Sequence, residues 1–148
     1  MLIRAATPAD IPAMMSLAAR SATAAQWTAA QYELAFSNSH PRRLVLAAEE
    51  DTSVLAFLIA QAAAGEWELE NIAVAGPARR RGLGSRLLGE FLDRIKAQGA
   101  HAVFLEVRES NRPARSLYEK WAFEECGRRS DYYRDPVEDA LLYRLALS

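Results

Sequence analysis

The chain has 148 residues, enough for one domain with a sizeable core, and its 51% hydrophobic and 25% charged residues exclude a disordered or fibrous protein. A formal net charge of −1 excludes the broad positive surface of a general nucleic-acid binder, while a single cysteine, Cys126, with no Cys/His cluster, excludes an internal disulfide and a zinc site. No basic start followed by an apolar run marks a signal peptide and no apolar segment reaches the ~20 residues of a membrane span, so the expected compartment is the cytoplasm, with neither membrane nor nucleic acid as a partner.

Residues 2–5 read as a short first strand. Thr7-Pro8-Ala9-Asp10 opens a helix, with Thr7 as cap, Pro8 in the first turn and Asp10 favourable to the helix dipole. Ile11, Met14, Met15 and Leu17 or Ala18 then follow helical spacing until about Ser21, and the methionines read as core fillers. Trp27 to Gln31 starts a second helix: Thr28 and Gln31 form a capping box and Trp27 is placed to staple against Tyr32. Tyr32 and Phe36 share one face, and the helix ends before His40-Pro41, where His40 reads as a surface turn residue.

Three strands follow, at 43–49, 54–62 and 67–74, joined by the polar turn 50–53 and by Gly65; short turns between adjacent strands imply antiparallel pairing. The stretch 70–92 organises the rest: an apolar strand, a basic loop with glycines, then an amphipathic helix opening at about Gly84. Glycine lets a ligand approach the backbone, the free N–H groups of a helix start meet an anion there, and Arg79, Arg80 and Arg81 supply planar guanidinium groups beside it. The pattern is neither a P-loop, which needs Lys-Ser or Lys-Thr after its glycines, nor a dinucleotide fingerprint, whose third glycine is Leu87 here. A phosphorylated cofactor is the ligand it suits.

Leu83, Leu87, Leu88, Phe91, Leu92 and Ile95 make one apolar stripe, Glu90 can pair with Arg94, and Gly99 stops the helix. The strand 102–107, reached by a helical crossover, should run parallel to 69–74. Period-two alternation sets Val103, Leu105 and Val107 on one face and Phe104 and Glu106 on the other, so a carboxylate interrupts an apolar surface. Ala114, Leu117, Tyr118 and Trp121 define a last helix after Asn111, and 123–129 and 140–147 are the final strands, joined by 129–136. Cys126 reads as structural.

Arg79-Arg80-Arg81-Gly82-Leu83-Gly84 between a strand and a helix resembles the acetyl-coenzyme A loop of the GNAT N-acetyltransferases, and the order of elements is similar to theirs over nearly the whole chain. Within that superfamily the chain resembles the ribosomal-protein-alanine N-acetyltransferases of the RimI type. The resemblance is carried by Trp27-Thr28, by Asn71-Ile72-Ala73-Val74, by Leu105-Glu106-Val107-Arg108-Glu109-Ser110-Asn111, by Leu117-Tyr118-Glu119, and by Tyr132-Tyr133 with Glu138-Asp139-Ala140. Ala122, before Phe123, departs from the glycine usual there.

The resemblance implies a mixed α/β GNAT fold over residues 1–148 as a single domain, with a mostly antiparallel central sheet, two splayed parallel central strands and helices on both faces. It implies acetyl-coenzyme A as cosubstrate, no metal, and a protein or peptide N-terminal α-amine as acceptor, with N-terminal alanine of a small-subunit ribosomal protein expected; a monomer or weak dimer would suffice. Acetyl transfer would be direct. By carry-over Glu106 is the base, with Glu70 and Glu68 on the neighbouring strand as rivals, and Tyr118 protonates the departing thiolate. The backbone of Ile72, Ala73 and Val74 would meet the pantetheine amides, the N–H groups of Arg81, Gly82, Leu83, Gly84 and Ser85 the pyrophosphate, and Asn111 the pantetheine arm. Trp27 and Tyr32 either line the acceptor groove or anchor their helix; Glu70, Tyr132 and Tyr133 belong to the acceptor side. A lysine or small-molecule amine is the alternative acceptor, and a non-catalytic coenzyme A sensor the alternative of another class.

Overall fold

The structure, a computed structural model, describes residues 1–21, 24–38 and 41–147, with only the backbone at Arg80; His40 lies outside the described residues. Seven strands form one sheet: β1 (Leu2–Ala5), β2 (Arg43–Glu50), β3 (Ser53–Ala63), β4 (Glu66–Val74), β5 (Ala102–Arg108), β6 (Glu124–Tyr133) and β7 (Glu138–Ala146), in the spatial order β1-β2-β3-β4-β5-β7-β6. Every neighbouring pair is antiparallel except β4 and β5, which the crossover helix makes parallel, as the sequence predicts.

Helices α1 (Ile11–Ala19) and α2 (Ala29–Ala35) cover one face, and α3 (Leu83–Ala97) and α4 (Arg112–Lys120) the other. Strand alternation feeds both cores. Val45, Phe57 and Ile59 pack with Met14, Leu17 and Tyr32, while Leu46, Leu58 and Leu69 pack with the α3 stripe, whose six predicted residues are all buried. Burying each large side chain contributes about 1.5–3 kcal/mol before conformational entropy is counted.

The helix ends follow local chemistry. Thr28 and Gln31 close the predicted capping box, Thr28 N–H to Gln31 Oε1 at 2.7 Å and Gln31 N–H to Thr28 Oγ1 at 3.2 Å. Gly99, at φ +80°, ends α3 with its N–H on Lys96 O and that of Ala100 on Ile95 O, the paired bonds of a Schellman motif. Asp10 does more than favour a dipole: the buried carboxylate accepts Thr7 N–H at 2.8 Å and both Arg4 Nη atoms at 2.8 and 2.9 Å, and the Arg4 hydrogen bonds hold it below the usual carboxylate range.

Two predicted boundaries move. Residues Gly76–Arg81, read as open loop, wind into a 3-10 helix before α3. β6 runs on through Tyr133, within the segment read as a connection, because two register shifts let it stay paired with β7. Among the described residues no helix is long and apolar enough to cross a membrane.

Candidate active site

The site begins where the central strands part. β4 and β5 pair only as far as Leu69 opposite Leu105. Beyond that point Glu70 is an extra residue in the pairing of β3 with β4, where Ile59 and Ala60 face Asn71 and Leu69. Such a bulge bends its strand and, because side chains alternate, swaps which residues face which side. Trp67 and Leu69 point to the α3 core, whereas Ala73 joins the α1 core and Ile72 and Val74 pack toward α3. The gap leaves the facing backbone edges of 70–74 and 106–108 without strand partners and opens a cleft of about 610 Å3.

One end of the cleft is mainly backbone. Gly82 takes φ +75°, a left-handed conformation that glycine adopts freely, and heads α3. The first helical bond runs from Arg86 N–H to Gly82 O at 3.0 Å, so the N–H groups of residues 82 to 85 have no intrahelical acceptor. Gly82, Gly84 and Ser85 line the cleft, as do Ile72, Ala73 and Val74 across from them. Arg79 lies on the same wall with Nε on Val74 O at 3.1 Å.

The other loop residues stand apart. The guanidinium of Arg81 is taken by Glu50, at 2.6 and 3.1 Å, and the Leu83 side chain is sealed in the core, so any ligand contact of Leu83 runs through its backbone. The side chain of Arg80 lies outside the described residues.

Asn111 lines the cleft while also capping α4, accepting Ala114 N–H at 3.2 Å. Tyr118 closes the cleft from the same helix. Its ring packs on Phe123 and Tyr143, with centroids 5.6 and 6.3 Å away, and its hydroxyl has no hydrogen-bond partner among the described residues. Burial, helped by the charge of Tyr133, raises its phenol above the ordinary value. Ala122 adopts φ +71° at the end of α4, so the turn that glycine would make is kept, and Phe123 N–H bonds Tyr118 O at 3.0 Å.

The other end is side chains. Glu106 lines the cleft, 20% exposed, and pairs with Nε of Arg129, a β6 arginine, at 3.0 Å. The negative charge of Glu106 and its hydrogen bond raise the phenol of Tyr132, which is half-exposed and is not itself among the residues lining the cleft. Tyr133 lines the cleft beneath Arg108, whose guanidinium carbon lies 4.3 Å from the ring centre; burial first and the charge of Glu106 second push its phenol up to about 12.

Arg108 also reaches Glu138 at 3.1 Å, and Glu138 accepts Ser110 N–H at 2.7 Å. The Glu138-Asp139-Ala140 segment therefore braces the ends of β5 and α4 through Glu138, while Asp139 accepts from Arg128 at 2.7 Å.

The rival carboxylates are otherwise engaged. Glu70 is held by Arg43 through two bonds of 2.8 and 3.2 Å, and Glu68 accepts from Gln61. Trp27 packs 5.4 Å from Tyr32, as the staple reading requires, and under Arg43. Tyr32 is fully buried, its hydroxyl unpartnered among the described residues, and so belongs to the core of the helix rather than the cleft wall.

Sequence reasoning missed the segment 24–26. Buried Asn71 accepts Ala25 N–H at 3.2 Å and donates Nδ2–H to Ala25 O at 3.2 Å, fastening that segment across β4 as a wall of the cleft. A polar amide within an apolar strand was the available signal, since such a group is buried only with partners.

Comparison with known proteins agrees with this geometry. A model of the acetyltransferase (GNAT) family matches residues 11–123. The [ribosomal protein bS18]-alanine N-acetyltransferase of Salmonella typhimurium is 37% identical over 141 residues, covering 94% of this chain and 93% of the relative. The crystal structure of the ribosomal-protein-S18-alanine N-acetyltransferase from Escherichia coli superimposes with a TM-score of 0.89 at 32% identity, over 99% of this chain and 94% of the other. Ard1 from Thermoplasma volcanium gives 0.87 at 27% identity, over 99% and 97%.

Proposed function

Because the chain belongs to the acetyltransferase (GNAT) family and is an acetyl-coenzyme A-dependent N-acetyltransferase, we propose that residues 1–148 form one acetyltransferase domain that modifies a protein N-terminal α-amine, that of alanine in a small-subunit ribosomal protein. The observation that carries the acceptor is the relatives' activity on bS18 at 37% identity across almost their full length.

The cleft suits the cosubstrate. The N–H groups at the head of the 15-residue α3, without intrahelical acceptors among the described residues, offer fixed partial positive charge to a pyrophosphate. The edge of β4 at Ile72, Ala73 and Val74, which has no strand partner on the cleft side, can pair with pantetheine amides, and one of its N–H groups can polarise the thioester carbonyl. Arg79 and Asn111 stand where they can hold the two ends of that arm.

In the proposed reaction Glu106 accepts the amine proton directly or through one water. An α-amine near pKa 7.7–8.0 needs little help to lose it. The amine nitrogen bonds to the acetyl carbon, the carbon–sulfur bond breaks with its electron pair on sulfur, Tyr118 gives its proton to that sulfur, and the second proton shed by the acylated nitrogen restores the phenol. Burial raises the phenol, so it stays protonated near neutral pH and is present as an acid where the thiolate forms beside it. Glu106 is preferred over Glu70 because two hydrogen bonds from Arg43 already engage both oxygens of Glu70. Tyr132 and Tyr133 would flank the entering N-terminus.

The test is thiol release from acetyl-coenzyme A with short peptides beginning Ala, Ser, Thr, Gly or Met, beside polyamines and free lysine. Turnover confined to peptide N-termini, with alanine preferred, is expected. Turnover only on lysine or small amines overturns the acceptor assignment.

A further inference from the structure

A hydrogen bond joins the head of α3 to the end of α4. Trp121 Nε1–H donates to Ser85 Oγ at 3.0 Å. Ser85 is the third residue of α3, beside the free N–H groups, and lines the cleft. A serine hydroxyl has one proton and two acceptor sites. With the indole on the oxygen, the hydroxyl proton must turn elsewhere, and among the described residues no protein acceptor takes it.

The seat of the indole is equally particular. Gly89 lies inside α3, where glycine is unfavourable relative to alanine. A Cβ there would come within 2.9 Å of Trp121 Cη2 and 3.2 Å of Cζ2. The helix thus carries a glycine at the place the indole occupies.

We propose that Trp121 is a positioning residue of the donor site: it holds the Ser85 hydroxyl as a donor aimed at the pyrophosphate of the cosubstrate, and Gly89 provides the space that lets it do so. The inference rests on the reading of the α3 head as the pyrophosphate seat. The same indole follows Tyr118 by three residues, so one contact aligns the phosphate-binding helix with the helix that carries the proposed acid.

A double-mutant cycle tests it. Ser85→Ala should raise the KM for acetyl-coenzyme A and the Kd for coenzyme A about tenfold, Trp121→Phe about fivefold, and the pair no more than Ser85→Ala alone, with the change in KM rather than kcat. Equal effects of Trp121→Phe with and without Ser85, or a loss confined to kcat, overturn the proposal. If Trp121→Phe melts below the assay temperature, Gly89→Ala, which keeps the indole but forces it aside, takes its place with the same expected coupling. No change in coenzyme A affinity in Ser85→Ala overturns the proposal but not the main-chain phosphate seat, which fails only if the wild-type protein does not bind coenzyme A; a Ser85 effect that simply adds to that of Trp121 removes the positioning role.

Discussion

The two ends of the cleft are made of different material. At the proposed donor end the contacts offered are mainly main-chain groups, namely the N–H groups at the head of α3 and the edge of β4 that lacks a strand partner, with the Ser85 hydroxyl, Arg79 and Asn111 beside them. At the proposed acceptor end they are side chains in long-range pairs: Glu106 with Arg129, Arg108 with Glu138, Glu70 with Arg43, Asn71 with Ala25. A main-chain site is fixed by the fold and is indifferent to most substitutions. A side-chain site depends on each partner, so the two ends should respond differently to mutation.

The largest expected effect comes at their junction. Glu106→Gln should lower kcat by about 10²–10³ while leaving coenzyme A affinity within about twofold. Tyr118→Phe, which keeps the ring packing on Phe123 and Tyr143, should cost about 10² in kcat. An acid must be protonated to act, and burial raises this phenol above its ordinary value near 10, so wild-type kcat should show no alkaline limb from Tyr118 below about pH 10. A large fall in coenzyme A affinity in either variant would break the division between the ends.

Asn71→Leu separates the ends more sharply. It fills the same buried space but releases both bonds to Ala25. The acceptor-peptide KM should rise about tenfold as the 24–26 wall loosens, with the acetyl-coenzyme A KM unchanged. Gly82→Ala is its converse. Among the described residues nothing beyond its chain neighbours and its own helix backbone lies within 4 Å of the added methyl, so the cost is the strain of φ +75°, about 1–2 kcal/mol. Steady-state kinetics should show the acetyl-coenzyme A KM up about fivefold and the acceptor KM unmoved.

The same contrast explains what the sequence discloses. The donor end is legible because its requirements are local: a basic segment, a glycine that must be left-handed and the apolar stripe of α3 all lie within 79–95. Parallel pairing of β4 and β5 and their splay follow from the crossover and the family resemblance. The acceptor end is not local. Arg129 meets Glu106, and Arg43 meets Glu70, only after β6 and β2 take their places in the sheet, and no spacing rule announces either pair. The bulge at Glu70 is hidden for the same reason, since an extra residue in one strand is defined only against its partner. Tyr32 was ambiguous because an aromatic at helical spacing serves a groove or a core equally, and burial decides for the core.

The smallest effect concerns the joint behind both ends. Ala122 stands at φ +71° just past α4, with its N–H on Glu119 O and that of Phe123 on Tyr118 O, both at 3.0 Å. These are the bonds of a Schellman motif, in which glycine is the usual occupant, and Phe123 supplies the accompanying apolar contact with Tyr118. An alanine there bears about 1–2 kcal/mol of strain. Ala122→Gly removes it but adds about 0.4–1 kcal/mol of unfolded-chain entropy. The net gain should be about 0.5–1 kcal/mol, a rise in Tm of about 1–4 °C for a chain of this size. The bonds persist in the variant, so Tyr118 keeps its place and both KM values should hold. If kcat moves with Tm, the strain at Ala122 reaches the phenol through the Tyr118 carbonyl, and the end of α4 belongs to the catalytic apparatus rather than to its support.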